Sequence, residues 1–198
     1  EKDGLWAVLF WLNILASSNK SVADIVFDHW KKFGRDVYTR HDYEGIATQD
    51  ADALMTQLRA NTDKLSGQKY GNYTIEHCDD FSYTDPVDQS VTGRQGIRIL
   101  FTSGARIIYR LSGTGTEGAT LRVYIEQLVT GGNELKQDAQ VSLAELIQLS
   151  KLILTIDPLN TDCLNVLNIN FNKKDITQFE FEKLFNKFEY SEKNNKEW

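Results

Sequence analysis

The chain has 198 residues, of which 41% are hydrophobic and 25% are charged, and its formal net charge is -6. This length and composition are typical of one or two globular domains with a buried core. The acidic balance argues against a nucleic-acid-binding protein, which would carry a clustered excess of lysine and arginine. It does not exclude a small anionic ligand, because a local group of donors decides that affinity.

The first apolar stretch, over residues 4–17, predicts a helix that is hydrophobic on nearly all of its sides. It is shorter than the roughly 20 apolar residues that cross a bilayer, and we expect no membrane span. Such a helix must be covered by other residues, so the chain is expected to be a piece of a larger protein. Cys78 and Cys163 lie far apart, without metal-ligand spacing, and are expected to be free thiols in a cytoplasmic protein.

Helix and strand signals alternate through the next part of the chain. Ser21 is expected to cap a helix over residues 22–33, with Gly34 at its end. The remaining ranges are a linker over 34–36, a strand over 37–43, a helix over 51–58, a polar loop over 61–71, and short strands over 73–75 and 81–83.

Two stronger strands are predicted over residues 97–102 and 106–111, joined by a hairpin turn at 102–105. A further strand over 121–128 precedes a helix over 141–154, for which Ser142 and Glu145 form a candidate capping box. The elements together predict an α+β domain with an antiparallel sheet and packed helices. The composition changes after residue 156, and a short helix is expected over 178–188, capped by Thr177 and Glu180.

The segment most suggestive of chemistry runs from Arg110 to Arg122. Glycines in it let the backbone curl so that successive N–H groups point to one centre, and hydroxyl side chains add short donors. Two arginines flank the turn and can bring forked guanidinium groups to the same place. A phosphate needs many directed donors and positive charge. The candidate site therefore comprises Arg110, Ser112, Gly113, Thr114, Gly115 and Arg122.

The alternative interpretation of this segment is an ordinary turn rich in Gly, Ser and Thr. Glu117 within it disfavours an anion unless its carboxylate points to solvent. The run His77-Cys78-Asp79-Asp80 has metal-ligand residue types, but adjacent strand residues face opposite sides and would not share an ion. Asp85 and Asp88 are expected to stabilise a turn around Pro86, and His29 is expected to pack. A surface role is expected for His41, with a position facing a ligand cleft as the alternative.

Several motifs together resemble the phosphoglucomutase branch of the α-D-phosphohexomutases. The segment Arg110-Leu-Ser-Gly-Thr-Gly-Thr-Glu-Gly-Ala-Thr-Leu-Arg122 looks like that family's phosphate-binding loop. The opening Glu1-Lys-Asp-Gly-Leu-Trp-Ala-Val-Leu9 looks like the stretch after its sugar-selecting loop. The segments 33–35, 38–44 and 83–88 also fit, and the likeness covers about residues 1–150.

This resemblance implies a domain organisation and a function. Residues 1–34 would be the C-terminal helices of the third phosphohexomutase domain, an α/β domain. Residues 35–156 would be the phosphate-binding C-terminal domain, which is TATA-box-binding-protein-like, and residues 157–198 would be a divergent tail. The family interconverts glucose 1-phosphate and glucose 6-phosphate through glucose 1,6-bisphosphate, with a phosphoserine and Mg²⁺. The implied partner is a phosphorylated hexose, and Lys2 would contact substrate.

The chain departs from the family pattern because it contains neither the phosphoserine loop nor the Asp-rich metal loop. The missing N-terminal domains would be needed to complete the site, so the resemblance implies no catalytic residue and no metal ligand in these residues. We therefore expect the chain alone to be inactive as a mutase. The alternative is a non-catalytic phosphosugar-binding or parafusin-like regulatory module, and a functionless remnant is a third possibility.

Overall fold

A computed structural model of the chain describes residues 3–115 and 118–154. Of residues 113–115 and 133 it describes the backbone alone. The expected helix over 178–188 therefore lies outside the described residues. The helices are α1 Gly4–Ser18, α2 Val22–Phe33, α3 Thr48–Leu65, a 3-10 helix Gly132–Lys136, α4 Ala139–Ser142 and α5 Ala144–Ile153. The strands are β1 Arg35–Ile46, β2 Lys69–Tyr70, β3 Tyr73–Asp80, β4 Tyr83–Thr84, β5 Val91–Thr92, β6 Ile97–Phe101, β7 Arg106–Gly115 and β8 Gly118–Val129.

The two N-terminal helices differ in their surroundings. The side chain of Asp3 caps α1, but α1 buries none of its residues among those described, and Leu5 and Trp6 are 79% and 63% exposed. Ser21 caps α2 as expected, and its hydroxyl accepts the N–H of Asp24 at 3.1 Å. The apolar side of α2 lies against the following domain, where Phe27 and Trp30 pack on the core.

The part of the chain from β1 to α5 is called the second domain below. A sheet with the strand order β1-β8-β7-β6-β3-β2 forms its centre, and every pairing in this sheet is antiparallel. Helices α3 and α5 cover one of its faces. The phenol of Tyr109 in β7 donates a buried hydrogen bond of 2.7 Å to the carbonyl of Ser150 in α5, which fastens helix to sheet. The α+β class and the antiparallel sheet with packed helices are thus confirmed.

The core consists of the alternate residues of the central strands. Ile99 of β6, Ile107 of β7 and Leu121 of β8 are each fully buried, because successive side chains of a strand point to opposite faces. The other residues of these strands lie on the face that no helix of the described chain covers. That uncovered side is called the open face below.

The junction of α2 with β1 contains no linker, which corrects the expectation for residues 34–36. Gly34 has φ +87° and ends α2, and β1 begins at the next residue. The guanidinium of Arg35 lies 4.5 Å from the ring centre of Trp30 and donates hydrogen bonds of 2.9 and 2.8 Å to the carbonyls of Leu135 and Gln137. These contacts tie α2 to the 3-10 helix of the second domain.

Several other boundaries differ from the sequence expectations. Residues 61–71 are not one loop, since α3 continues to Leu65 and β2 follows at Lys69. The strands over 37–43, 73–75, 106–111 and 121–128 are all longer than expected, because paired neighbours extend them. The turn at residues 102–105 and the turn of Asp85 and Asp88 are confirmed; the Asp85 carboxylate accepts the N–H of Val87 at 2.7 Å.

The capping box of Ser142 and Glu145 is wrong. Asp138 caps the short helix α4 instead, and a new helix begins at Ala144. The Ser142 hydroxyl donates to Oε1 of Gln137 at 3.0 Å, and the Glu145 carboxylate accepts the N–H of Asn72 at 3.1 Å. Both side chains thus bind other polar groups, one five residues away and one 73 residues away, instead of capping a helix.

Candidate functional site

The two arginines of the candidate anion site lie side by side on the sheet. Arg110 on β7 is the direct partner of Arg122 on β8 in the antiparallel register. Directly opposed residues point to the same face, with Cβ atoms about 5 Å apart. Both belong to the open face, because their chain neighbours Tyr109, Leu121 and Val123 are buried in the core. The geometry therefore permits one ligand to meet both guanidinium groups.

The remaining arginines of the open face are paired with carboxylates. Arg98 donates to both oxygens of Asp79, at 2.8 and 2.5 Å, and Arg106 donates to Glu126 at 3.1 and 2.6 Å. The hydrogen bonds from Arg98 hold the pKa of Asp79 below its usual value. These charges are balanced locally, so they offer little attraction to an anion.

Arg110 and Arg122 are balanced much less. Among the described residues, Arg110 is exposed and has neither a hydrogen bond nor an ion pair. Within the same residues, the buried Nε of Arg122 has no hydrogen-bond partner, and the nearest carboxylate oxygen described, Oδ2 of Asp42, is 3.9 Å from that atom. Within the described residues, Arg110 and Arg122 are thus the least balanced arginines of the open face.

The turn after Arg110 is a tight hairpin. Strand β7 continues to Gly115, which pairs with Gly118 at the start of β8, and the register shifts between Ser112 and that pair. Thr116 and Glu117 lie outside the described residues, and of Gly113, Thr114 and Gly115 only the backbone is described. The converging backbone donors of this turn therefore stay a prediction.

Gly118 fixes the position of this hairpin end against β1. It has φ +97°, and a Cβ at this residue would lie 2.8 Å from the carbonyl oxygen of Ile46. Only glycine accepts both the left-handed backbone and this close approach. The hairpin carrying Arg110 and Arg122 is consequently held next to the end of β1.

A shallow groove of about 320 Å³ lies on the open face, two residues along β7 and β8 from this pair. Ile108 and Tyr124 contribute apolar surface to it, while Arg40, Arg106 and Glu126 contribute charge. Sequence reasoning missed this groove. The sequence shows the alternation of polar and apolar residues within each strand, but it does not show which strands are neighbours in the sheet.

Most other candidates in the sequence lie within the described residues. Lys2 lies outside the described residues. Cys78 is buried, and this burial raises the pKa of its thiol to about 12. His77 and Asp79 lie 3.3 Å apart (Nε2 to Oδ2), on the open face with Arg98. His41 is partly buried, and its Nε2 lies 3.1 Å from Oε1 of Gln140.

Magnesium has no evident place in the described part of the chain. No three His, Cys, Asp or Glu side chains converge there, so these residues do not fit the ion that the family resemblance implies. Nor is any helix of that part long and apolar enough to span a membrane. The chemistry open to this region is the recognition of an anion by two guanidinium groups on a rigid sheet.

Two domain families match the chain. Residues 35–161 match the family described as phosphoglucomutase-1, C-terminal domain. Residues 1–33 match phosphoglucomutase/phosphomannomutase, alpha/beta/alpha domain III. The two matched ranges meet at Gly34, where α2 ends and β1 follows.

Curated proteins of the same kind are similar over most of the chain. The phosphoglucomutase of Rhizobium radiobacter is 52% identical over 153 residues, which is 77% of this chain and 28% of that protein. Human phosphoglucomutase-1 is 47% identical over 156 residues, or 76% and 28% of the two chains. The chain thus spans less than a third of the length of these relatives.

A solved structure agrees with the fold. The open-form crystal structure of the exocytosis-sensitive phosphoprotein pp63/parafusin (phosphoglucomutase) from Paramecium has a TM-score of 0.71 with this chain. It is 38% identical, and the likeness covers 87% of this chain and 29% of the Paramecium chain.

Proposed function

The chain belongs to the phosphoglucomutase family, and we propose that it is the part of such an enzyme that holds the substrate phosphate which is not being transferred. One observation carries this proposal. Of the arginines on the open face, Arg110 and Arg122 are the adjacent pair without a hydrogen-bonded carboxylate among the described residues. The ligand would be a hexose phosphate, either glucose 1-phosphate or glucose 6-phosphate.

The chemistry of a phosphate suits this pair. A guanidinium presents parallel N–H donors that match two oxygens of a phosphate, and two guanidiniums compensate a dianion. Ser112, Gly113, Thr114 and Gly115 would add hydroxyl and backbone donors from the hairpin end. A site that binds a phosphate without regard to its position on the sugar can hold glucose 1,6-bisphosphate in both of its orientations. It can thereby serve both halves of the interconversion.

Phosphoryl transfer itself belongs to other parts of the family's fold. The phosphoserine that donates the group and the Mg²⁺ that stabilises its charge would come from preceding domains, and Lys2 would lie beside the substrate. The residues of this chain would bind and orient, which is a large share of catalysis in phosphoryl transfer. We expect the 198-residue chain alone to show no mutase activity in a coupled assay at pH 7. Interconversion of the two glucose phosphates by the pure chain would contradict this.

Titration with glucose 6-phosphate tests the binding role. Calorimetry on the 198-residue chain is expected to detect one site. Arg110→Ala and Arg122→Ala should each weaken binding about ten- to a hundredfold, since a hydrogen bond to a charged group contributes about 1.5–3 kcal/mol. Arg106→Ala is the matched control. It removes the same charge from the same face, but from a residue already paired with Glu126.

Salt and the control variant decide what such a result means. Binding should weaken as ionic strength rises, because the attraction is partly electrostatic. Equal losses in Arg106→Ala and Arg122→Ala would mean that the face attracts anions unspecifically, and the proposed site would be wrong. Unchanged affinity in both Arg110→Ala and Arg122→Ala would refute it outright.

A second candidate function is a non-catalytic phosphosugar-binding or regulatory module. The observation that favours it is the likeness to parafusin, which is described as an exocytosis-sensitive phosphoprotein. The same two arginines would bind the ligand in either case. Adding the preceding phosphoglucomutase domains of a relative separates the candidates. Recovered mutase activity supports the enzymatic role, whereas sugar-phosphate binding without recovered activity supports the module.

A further inference from the structure

A carboxylate lies directly beside the arginine pair. Asp42 on β1 is the register partner of Arg122 on β8, and Arg122 is the partner of Arg110 on β7. The three side chains therefore form one row across three adjacent strands. Arg122 occupies the middle of this row, with a negative group on one side and a positive group on the other.

Asp42 is itself held in place. Its side chain is 22% exposed, and its Oδ1 lies 2.8 Å from Nε of Arg40, two residues earlier on the same strand. Its other oxygen, Oδ2, lies 3.9 Å from Nε of Arg122. One oxygen is thus occupied by Arg40, while the other faces the arginine pair.

The contact with Arg122 is made at the inner nitrogen of the guanidinium. That Nε is buried and has no hydrogen-bond partner. Among the described residues no hydrogen bond engages the two terminal amino groups of Arg122 either, which leaves them available for a bidentate contact with a phosphate. A carboxylate at this position attracts the guanidinium without occupying the donors that the ligand needs.

We propose that Asp42 is a positioning residue, which orients Arg122 and offsets part of the charge of the arginine pair before a phosphate arrives. The effect of Asp42 on phosphate affinity rests on the proposed function. Two neighbouring guanidiniums repel each other, and a long side chain loses rotamer freedom when a ligand fixes it. An anchored carboxylate weakens the repulsion between the guanidiniums and fixes the Arg122 side chain before the ligand binds. A binding site is preorganised when surrounding residues hold its side chains in this way.

The ligand-free chain gives the first test. The Nε–H signal of Arg122 in a proton–nitrogen NMR spectrum can be assigned through its loss in Arg122→Lys. Asp42→Asn should lower the order parameter of that Nε–H or broaden its signal. Glu126→Gln is the matched control, since it removes one negative charge from the same face but from a carboxylate that holds Arg106. It should leave the signal of Arg122 unchanged.

Titration with glucose 6-phosphate gives the second test. Asp42→Asn should weaken binding roughly tenfold, the size of effect seen when an outer partner of a binding residue is removed. Glu126→Gln should leave affinity unchanged or raise it slightly, because it only makes the face more positive. In an Arg122→Lys background, Asp42→Asn should have little further effect, since Asp42 acts through Arg122.

The outcomes separate this inference from the proposed function. Tighter binding in Asp42→Asn, with an unchanged Arg122 signal, would overturn the positioning role while leaving the phosphate site intact. Absence of binding to the unmodified chain would overturn the phosphate site, and the ligand-free signal would still decide on Asp42. Should Asp42→Asn not fold, Asp42→Glu keeps the charge and moves the carboxylate; it should disturb the Arg122 signal, and an undisturbed signal would overturn the inference.

Discussion

The two faces of the central sheet have the same strands but different roles. On one face, residues such as Ile107, Leu121 and Val123 are buried under α3 and α5. On the other, their chain neighbours carry charges, and Arg110 and Arg122 lie together. Because strand side chains alternate, residues adjacent in sequence contribute separately to stability and to binding. Substitutions at neighbouring positions can therefore test the two roles independently.

The largest difference is expected between Leu121→Ala and Arg122→Ala. Leu121 is fully buried, so its truncation should lower the free energy of unfolding by about 2–5 kcal/mol through lost burial and a cavity. Arg122→Ala should cost about 1 kcal/mol or less but weaken the binding of glucose 6-phosphate. Urea unfolding and calorimetry measure the two quantities. A comparable stability loss in both variants would break the division between the faces.

A smaller effect is expected at the hairpin end that joins β7 to β8. Gly118→Ala should lower the free energy of unfolding by about 1–3 kcal/mol, because residue 118 has a positive φ and an added Cβ would clash with the carbonyl oxygen of Ile46. Gly104→Ala is the control, since Gly104 has φ +83° but nothing within 4 Å of an added Cβ. Its cost should be the backbone strain alone. Equal costs in urea unfolding would mean that the close approach to β1 does not hold the hairpin.

The smallest effect concerns the ion pair of Asp79 and Arg98 on the open face. The pKa of Asp79 is lowered by hydrogen bonds from Arg98, so the pair stabilises the fold above the unfolded-state pKa of about 4. That contribution, about 1 kcal/mol or less for a partly exposed pair, is lost as the pH falls through the folded-state value. Asp79→Asn should therefore be less stable than the unmodified chain at pH 7 and equal to it near pH 2. A constant difference across this range would contradict the assignment.

Sequence signals predicted the ends of an element correctly where those ends depend on residues within the element or next to it. Ser21 and Gly34 bound α2 as the sequence indicated, because a capping hydroxyl and a left-handed glycine act within one turn of helix. Ser142 and Glu145 failed as a cap because Ser142 ends α4 and binds the nearby Gln137, while Glu145 binds the distant Asn72. The errors thus fall where other polar contacts compete with a helix cap.

Part of the candidate site was likewise visible in the sequence, and part of it depends on the fold. The sequence placed Arg110 and Arg122 at either side of a glycine-rich turn, and the register shows that they are direct partners on one face. It did not show that Asp42 adjoins them, since Asp42 is 80 positions before Arg122. Cross-strand neighbours of such separation follow from strand order alone.

The sequence by itself determined the family, the α+β class, the helix α2 with its cap and the residues with the chemistry to bind a phosphate. Those conclusions depend on residue types, short spacings and motifs, all of which the chain displays directly. The tertiary structure alone decided which arginines are neutralised and which are not, because that depends on the pairing of β1, β7 and β8. The charge balance around Arg122 is a property of three strands brought together by folding.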